Sequence, residues 1–499
     1  MTHDPAFDAA DESRPLDHAP PELAQVPVDL DRLRHLVETD LAPTLTAGAV
    51  TLDPDIVATY SSDEALFCPA AGAVALVRAT CVEDVQATMR FATTHRVPVV
   101  PQGARSGISG GANAIPGCLL LSVERMARIL SIDPGERTVT VEPGILNQDL
   151  KDALREHGLA YPPDPGSVAI SSIGGNVATN AGGLCCVKYG VTKDYVRRLE
   201  VVLADGTRAT LGTGTAKGVA GLDLRGLFVG SEGTLGVIVE VTLRLVPALP
   251  PPLTAVATFP DERAAAATVS DFMAAGAQPS MLESLDAVSL RLLNEFGDFG
   301  LDDAAGAMLL VQSDGSGNAD AALAEVEAFT ACAQTNGALD VGLSDDAADS
   351  EALVATRRMA QPAYERYAQR HGGGQLLDDI CLPRTRMAEF YERLAQVRAT
   401  SGLTIAVVAH AGDGNIHPSV FFDAGDPADV ARAERAFEEI MQLGLELGGT
   451  ITGEHGVGFL KRAWLARELD EGSKHIHRVV KHALDPLGIL NPGKMFAEL

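Results

Sequence analysis

The chain has 499 residues, a length at which one hydrophobic core gives way to two or more domains. Apolar residues make up 46% and charged residues 21%, the profile of a folded globular chain and not of a disordered one. With 39 basic residues against 67 acidic, a net charge of −28, its field repels phosphate backbones and anionic lipid surfaces; nucleic acid is excluded as an expected partner, and any carboxylate ligand needs a local cation or a metal.

Residues 1–28 are expected to be a disordered acidic leader, with acids where a secretion signal needs bases. No run in the chain approaches the roughly 18 apolar residues of a membrane span. The seven cysteines show no CxxC spacing, so neither an iron–sulfur cluster nor covalent haem is expected, and reduced thiols in a cytosol are. The expected location is the cytoplasm, with attachment to the inner face of a membrane as a variant.

The ordered part is expected to open with a helix, because Leu30, Leu33, Leu36, Val37 and Leu41 recur at helical spacing. "AVALVRAT" then predicts a strand, "VEDVQATMRFATTH" a helix and "VPVVPQG" a second strand. The segment from Val97 to Ala114, "VPVVPQGARSGISGGANA", carries Gly103, Gly107, Gly110 and Gly111 with Ser106 and Ser109. Such a loop lets backbone amides and hydroxyls approach a pyrophosphate; a flexible surface loop is the other reading of the same glycines. The glycine spacing is not that of a Rossmann nucleotide site. "RTVTVEPG" adds a β segment, and the loop from Tyr161 to Gly190 is again dense in small and amide residues that offer donors to one large polar ligand. "LEVVLADGTRATLG" predicts a hairpin about Asp205-Gly206, and "FVGSEGTLGVIVEVTLRLVP" runs from small residues into a strand bearing Val237 and Ile238.

Prolines at 247, 250, 251 and 252 break regular structure, and the main domain boundary is expected there. Beyond it, strand–helix–strand units recur in "TAVATF" to "SMLESLD" and "AMLLVQSD" to "ALDVGL". They predict an antiparallel sheet with helices on one face, ferredoxin-like in character. "ATRRMAQPA" places Arg357 and Arg358 on a helix.

"AHAGDGNIHPSV" follows, with His410 and His417 either side of a tight turn. If Asp413 and Gly414 are the central residues of a type I′ turn, 410 pairs with 417 and the two imidazoles face each other with Cβ atoms ~5 Å apart, a spacing that lets them share a divalent ion. A pair of exposed hairpin histidines is the alternative. "TGEHGVG" adds Glu454 and His455, so two histidines and a carboxylate could supply three ligands and leave open positions. The chain is expected to close with the helical "SKHIHRVVKHALDPLG" and the tail "ILNPGKMF".

From about residue 55 to the end, the stretches "PQGARSGISGG", "DPGSVAISSIGGNVATNAGG", "YGVTKDYV", "GSEGTLGVI", "HAGDGNIH", "GEHGVG" and "NPGKM" resemble, in order, the FAD-dependent D-2-hydroxyacid dehydrogenases. That family includes D-lactate dehydrogenases and the flavin subunit of glycolate oxidase, and its flavin domain is of the vanillyl-alcohol oxidase, or p-cresol methylhydroxylase (PCMH), type. The resemblance implies an α+β fold: a PCMH-type FAD-binding domain over 29–248, a ferredoxin-like substrate and metal-binding cap over 249–455, and a helical segment, 456–499, returning to the FAD domain.

It implies Pro101, Gly103, Ala104, Arg105, Ser106, Gly107, Ser109, Gly110 and Gly111 around the FAD pyrophosphate, and Asp164, Pro165, Ser167, Ile173, Gly174, Gly175, Asn176, Thr179, Asn180 and Gly183 along the flavin. Glu232, Gly236 and Ile238 would lie near adenine and ribitol, and Asn491 would return to the ring system. FAD is expected to be noncovalent, since the pyrophosphate loop has Arg105 and no histidine; Cys185 and Cys186 are the other residues considered for attachment.

The resemblance further implies His410, His417 and Glu454 as ligands of a divalent metal, Zn or Mn, His455 as catalytic base and Arg357 as the cation for the substrate carboxylate; Arg358 is expected to be a solvated surface residue. The implied reaction is oxidation of a small D-2-hydroxyacid by hydride transfer to FAD. D-lactate or glycolate is favoured over 2-hydroxyglutarate, because "QLLDDICLP" lacks the lysine of relatives that take a second carboxylate and Ser419 stands where they carry asparagine. Electrons would leave to a quinone, a cytochrome, an electron-transfer flavoprotein or an iron–sulfur subunit, and a homodimer is the oligomer considered. Two rivals are an alkylglycerone-phosphate synthase, whose lipid-sized substrate suits neither the charge nor the lack of a basic amphipathic stretch, and a flavin subunit active only inside a larger complex.

Overall fold

The computed structural model describes residues 29–496 except 67, 303, 345 and 346; the leader expected over 1–28 lies outside the described residues. The opening helix Leu30–Leu36 runs into a wider turn, Val37–Leu41, and Leu33, Val37 and Leu41 are buried by it. Leu30, at the exposed end of the expected stripe, keeps 45% of its surface because the helix meets the core only from Leu33 onward.

Two sheets follow. In the first, strands Ala75–Arg78, Leu119–Ser122 and Val99–Gln102 pair in parallel in that order, with the short Val50–Thr51 antiparallel at the edge. The helix Val82–His95 makes the parallel crossover and buries Val85, Met89 and Ala92. The second sheet is antiparallel in the order Ile129–Asp133, Thr138–Val141, Val237–Arg244, Val196–Val202, Arg208–Gly212. Its last two strands are the hairpin expected about Asp205-Gly206, with Val202 opposite Arg208 and Gly206 at φ +82°. One apolar core lies between the two sheets and holds Val77 and Leu119 of the first with Val202 and Val239 of the second; another, with Val141, Leu199 and Val241, belongs to the second sheet.

The chain crosses to the second half at its proline run, and Leu253–Phe259 opens an eight-stranded sheet. Strands Asp340–Leu343, Leu253–Phe259, Ala307–Ser313 and Met281–Asp286 lie in the spatial order 4-1-3-2 of their sequence, all antiparallel, with helices Glu262–Ala274 and Ala319–Thr335 as the connections. That is the ferredoxin-like arrangement. The sheet continues through Thr404–His410, Asn415–Asp423 and Gly373–Leu377, so the histidine hairpin is an interior part of the cap sheet. The tail comes back to the first half: Asn491 donates from its backbone to Val99 and from its side chain to the carbonyls of Gly111 and Glu232. Among the described residues no helix is long and apolar enough to cross a membrane.

Candidate active site

A cavity of about 960 Å³ opens between the glycine loops of the first half and the sheet of the second. The loops meet so closely that side chains are excluded: a Cβ on Gly103 would lie 2.5 Å from the Ser172 hydroxyl and 3.4 Å from the Gly175 nitrogen. Ser172 accepts hydrogen bonds there from Ala104 N and Gly175 N, which clamps one loop on the other. Arg105 holds φ +60°, lays its guanidinium 3.9 Å over the Tyr60 ring and faces Glu124 at 3.7 Å. A bare glycine-lined trough of this size fits an extended dinucleotide.

Pro101, Gly103, Ala104, Arg105, Ser106, Gly107, Ser109, Gly111, Pro165, Ser167, Gly174, Gly175, Asn176, Thr179, Glu232, Gly236 and Ile238 all line the cavity. Six residues expected with them stand behind the wall instead. Gly110 gives its carbonyl to buried Lys494, Ile173 is wholly within the core, and Asn180 caps a helix in the left-handed conformation. Gly183, at φ +139°, packs against the Asp164 carbonyl, and Asp164 itself pairs with Arg358 at 2.7 Å. Asn491 is buried as a strut between two loops. Arg358 is exposed, as expected, and it is also a tie between the two halves of the molecule.

The hairpin corrects one expectation. The register pairs His410 with Asn415 and Val408 with His417, leaving Ala411 to Gly414 as a four-residue loop. A type I′ turn needs positive φ at both central residues; Gly414 has it at +85° and Asp413 does not. Gly412 N is drawn instead to the Leu282 carbonyl of the neighbouring strand. Because the partner of His410 moved by two residues, side-chain parity survived. The two imidazoles still share a face, their ring centres 5.0 Å apart at 80°.

Around them lies a compact polar cluster. His410 and His417 are buried; Glu454 and His455 keep 11% and 18% of their side-chain surface. Glu454 Oε1 is 3.2 Å from His410 Nε2, 3.4 Å from His417 Nε2 and 3.7 Å from His455 Nε2. The rings of His417 and His455 stack at 4.9 Å. Burial works to raise the Glu454 carboxyl, but His410, His417 and His455 overcome it and bring it down to about 2. Burial and the neighbouring His455 push His417 down to about 3, so it is neutral with a lone pair to offer.

Both ring nitrogens of His417 and Oε2 of Glu454 are buried without a hydrogen-bond partner. Polar atoms left this way are costly, and a cation set against Glu454 Oε2 and the one lone pair of the neutral His417 ring would satisfy those two. His410, His417 and Glu454 present ligand atoms within 4.8 Å of one another and fit a divalent ion. Asp379, His417 and His455 are equally close, but Asp379 is already saturated by five donors. The first trio is therefore the better ligand set.

Two carboxylates at this cluster were not anticipated. Glu283, on strand Met281–Asp286 and fully buried, bonds His410 Nδ1 at 2.7 Å and so turns Nε2 toward Glu454. Orienting a ligand histidine through its other nitrogen is the usual task of such a partner. Asp379 is the second. Glu283 stands next to Leu282 on a strand and Asp379 next to Ile380 just after one, and an acid beside such apolar neighbours is the signal that could have marked them. Arg357 lines the cavity with a buried guanidinium 2.8 Å from Glu283; the pair is not aligned as a hydrogen bond and Arg357 Nε has no partner.

The cluster and the glycine loops meet directly. A Cβ on Gly182 would strike Glu454 Oε2 at 2.6 Å, and Glu232 accepts from Val457 N and Gly458 N, each at 2.7 Å, just past the His455 turn. Cys185 and Cys186 lie alongside, their thiols pushed up by burial and held protonated, and all seven cysteines are unpaired.

Residues 252–495 match the family described as FAD linked oxidases, C-terminal domain, and residues 73–212 match an FAD binding domain. A glycolate oxidase subunit, GlcD, of Bacillus subtilis is 40% identical over 416 residues, 83% of this chain and 87% of the relative. A D-lactate dehydrogenase of Anaerostipes hadrus is 33% identical over 460 residues, 90% of this chain and 95% of the relative. Crystalline p-cresol methylhydroxylase superposes with a TM-score of 0.77 over 93% of this chain and 97% of its own, at 18% identity, a likeness of fold.

Proposed function

This chain belongs to the FAD-linked oxidases, a family of FAD-dependent oxidoreductases with a PCMH-type flavin domain, and from that we propose that it is a metal-dependent dehydrogenase oxidising a small D-2-hydroxyacid to its 2-oxoacid. The observation that carries the reading is the buried set His410, His417, Glu454 and His455 facing the same cavity as the glycine loops. D-lactate and glycolate are the favoured substrates. The wall beside the histidines, with Tyr364, Gln375, Leu377 and Val408, supplies no lysine for a second carboxylate.

FAD, held noncovalently by the loops about Gly103 and Gly174, supplies a hydride acceptor when bound. A divalent metal on His410, His417 and Glu454, Zn or Mn, supplies Lewis acidity that makes a substrate hydroxyl easier to deprotonate. The remaining work belongs to the chain. Arg357 turns its donors to the substrate carboxylate, a planar acceptor that suits its fork. His455 Nε2, 3.7 Å from the ligand Glu454 while Nδ1 stands 4.0 Å from Asp379, is the atom assigned to take the hydroxyl proton, because it is the nitrogen on the metal side of the ring. The glycine loops and the cap sheet form the walls on either side of the pair.

Electrons then pass to a quinone, a cytochrome, an electron-transfer flavoprotein or an iron–sulfur subunit. A second reading, a flavin subunit that turns over only within a complex in the cytoplasm or at a membrane face, is favoured by the subunit status of the Bacillus relative.

Anaerobic mixing of the purified FAD protein with D-lactate, L-lactate, glycolate and D-2-hydroxyglutarate tests the proposal. The flavin band should bleach with D-lactate or glycolate, and chelation should slow bleaching about 100-fold or more, reversibly on adding metal. A flavin that no hydroxyacid bleaches, metal restored, ends the proposal. Gly103→Ala should yield protein with FAD binding weakened by about tenfold or more, because the added methyl meets Ser172; full flavin occupancy at low FAD would show that the loops do not carry the cofactor.

A further inference from the structure

Asp379 is fully buried in the segment after strand Gly373–Leu377, and its carboxylate is used on both sides. Oδ2 accepts from the Thr452 hydroxyl at 2.6 Å and from three consecutive backbone amides, Gly453 and Glu454 at 3.0 Å and His455 at 2.9 Å. Oδ1 accepts from the Asn415 amide at 2.6 Å and lies 3.6 Å from His417 Nδ1. The segment that carries it is itself pinned. Buried Lys461 donates to the carbonyls of Asp379 and Ile451 and pairs with Asp378 at 2.8 Å, tying the strand to the base of the same turn.

One anion thus organises groups from three places: the turn with Glu454 and His455, the strand with Asn415 and His417, and its own segment. A carboxylate accepts everywhere and donates nowhere, so five donors can converge on it. An asparagine of the same shape cannot do this. Its amide nitrogen must face either the amides of the turn or the Asn415 amide, donor against donor.

We propose that Asp379 is the positioning residue of the reaction centre, setting the ligand Glu454 and the base His455 in register with His417 through the three amides it holds. This rests on the functional reading above and deepens it. Asp379 does not line the cavity; it acts through the turn.

The test uses the FAD-loaded, chelator-stripped full chain, titrated with Zn²⁺ and with Mn²⁺. Asp379→Asn should retain FAD and bind metal about 10- to 100-fold more weakly. At saturating metal its limiting rate of flavin reduction should fall about 100-fold, while the substrate concentration for half-maximal rate moves only a few-fold, since Arg357 is untouched. Thr452→Val removes one of the five donors and keeps the charge; its metal affinity should fall about three- to tenfold. Metal affinity and limiting rate within about twofold of the unaltered protein in folded Asp379→Asn would overturn the inference, as would an Asp379→Asn that loses FAD and thermal stability with unchanged metal per folded molecule. Should Asp379→Asn not fold, unchanged metal affinity in Thr452→Val overturns it. Failure of the functional reading looks different: the unaltered protein then binds metal yet no hydroxyacid bleaches it.

Discussion

His455→Ala is expected to keep FAD and metal and to lose flavin reduction by a factor of about 10² to 10⁴, the usual worth of a positioned general base. The residue suits a clean test. Its backbone amide makes the hydrogen bond to Asp379 at 2.9 Å, while its ring stands 4.0 Å from that carboxylate, so the turn and Glu454 should survive loss of the imidazole. The ring packs on His417 at 4.9 Å, so a small change in metal affinity is expected, far below the change in rate. Stopped-flow bleaching at saturating substrate, beside metal and flavin content of the same preparation, separates the two. Normal bleaching with the ring gone would take the proton-accepting role from His455.

His410→Ala is expected to act earlier in the chain of causes, by losing the metal. It removes one of the three proposed ligands and leaves Glu283 buried with Arg357 as its one remaining ionic partner among the described residues. Metal measured on the purified variant should be sub-stoichiometric, and bleaching should fall by roughly 10² to 10⁴, the effect of several kcal/mol of lost Lewis acid stabilisation. Full metal content in this variant would mean that another set, such as Asp379, His417 and His455, holds the ion. Comparing the two variants orders the roles: one keeps metal and loses rate, the other loses both.

Much of this site could be foreseen from local pattern. Strand periodicity put His410 and His417 on one face even under the wrong turn type, because a shift of two residues leaves alternation intact. The density of glycine and small residues marked both loops of the cavity, since backbone that must approach a ligand or another loop carries no Cβ. The proline run located where the sheets change, and Glu454-His455 stood out as charged residues between glycines. Less could be foreseen where a side chain's partner is distant. Arg357 and Arg358 are neighbours on one helix, yet one meets Glu283 of the cap and the other Asp164 of the flavin loops.

What the sequence determined by itself was therefore short in range: which stretches are strands, helices and loops, which face of a hairpin is shared, and which residue types could do acid–base and ligand chemistry. Its ordered set of motifs also placed the chain in its family. Tertiary structure alone decided the 4-1-3-2 order of the cap, the convergence of Glu283 from a strand 127 residues before His410, and the saturation of Asp379 by a turn 73 to 76 residues further on. The physical reason is that a buried charge is tolerable only with partners, and a sequence shows the charge without showing which distant donors the fold will bring to it.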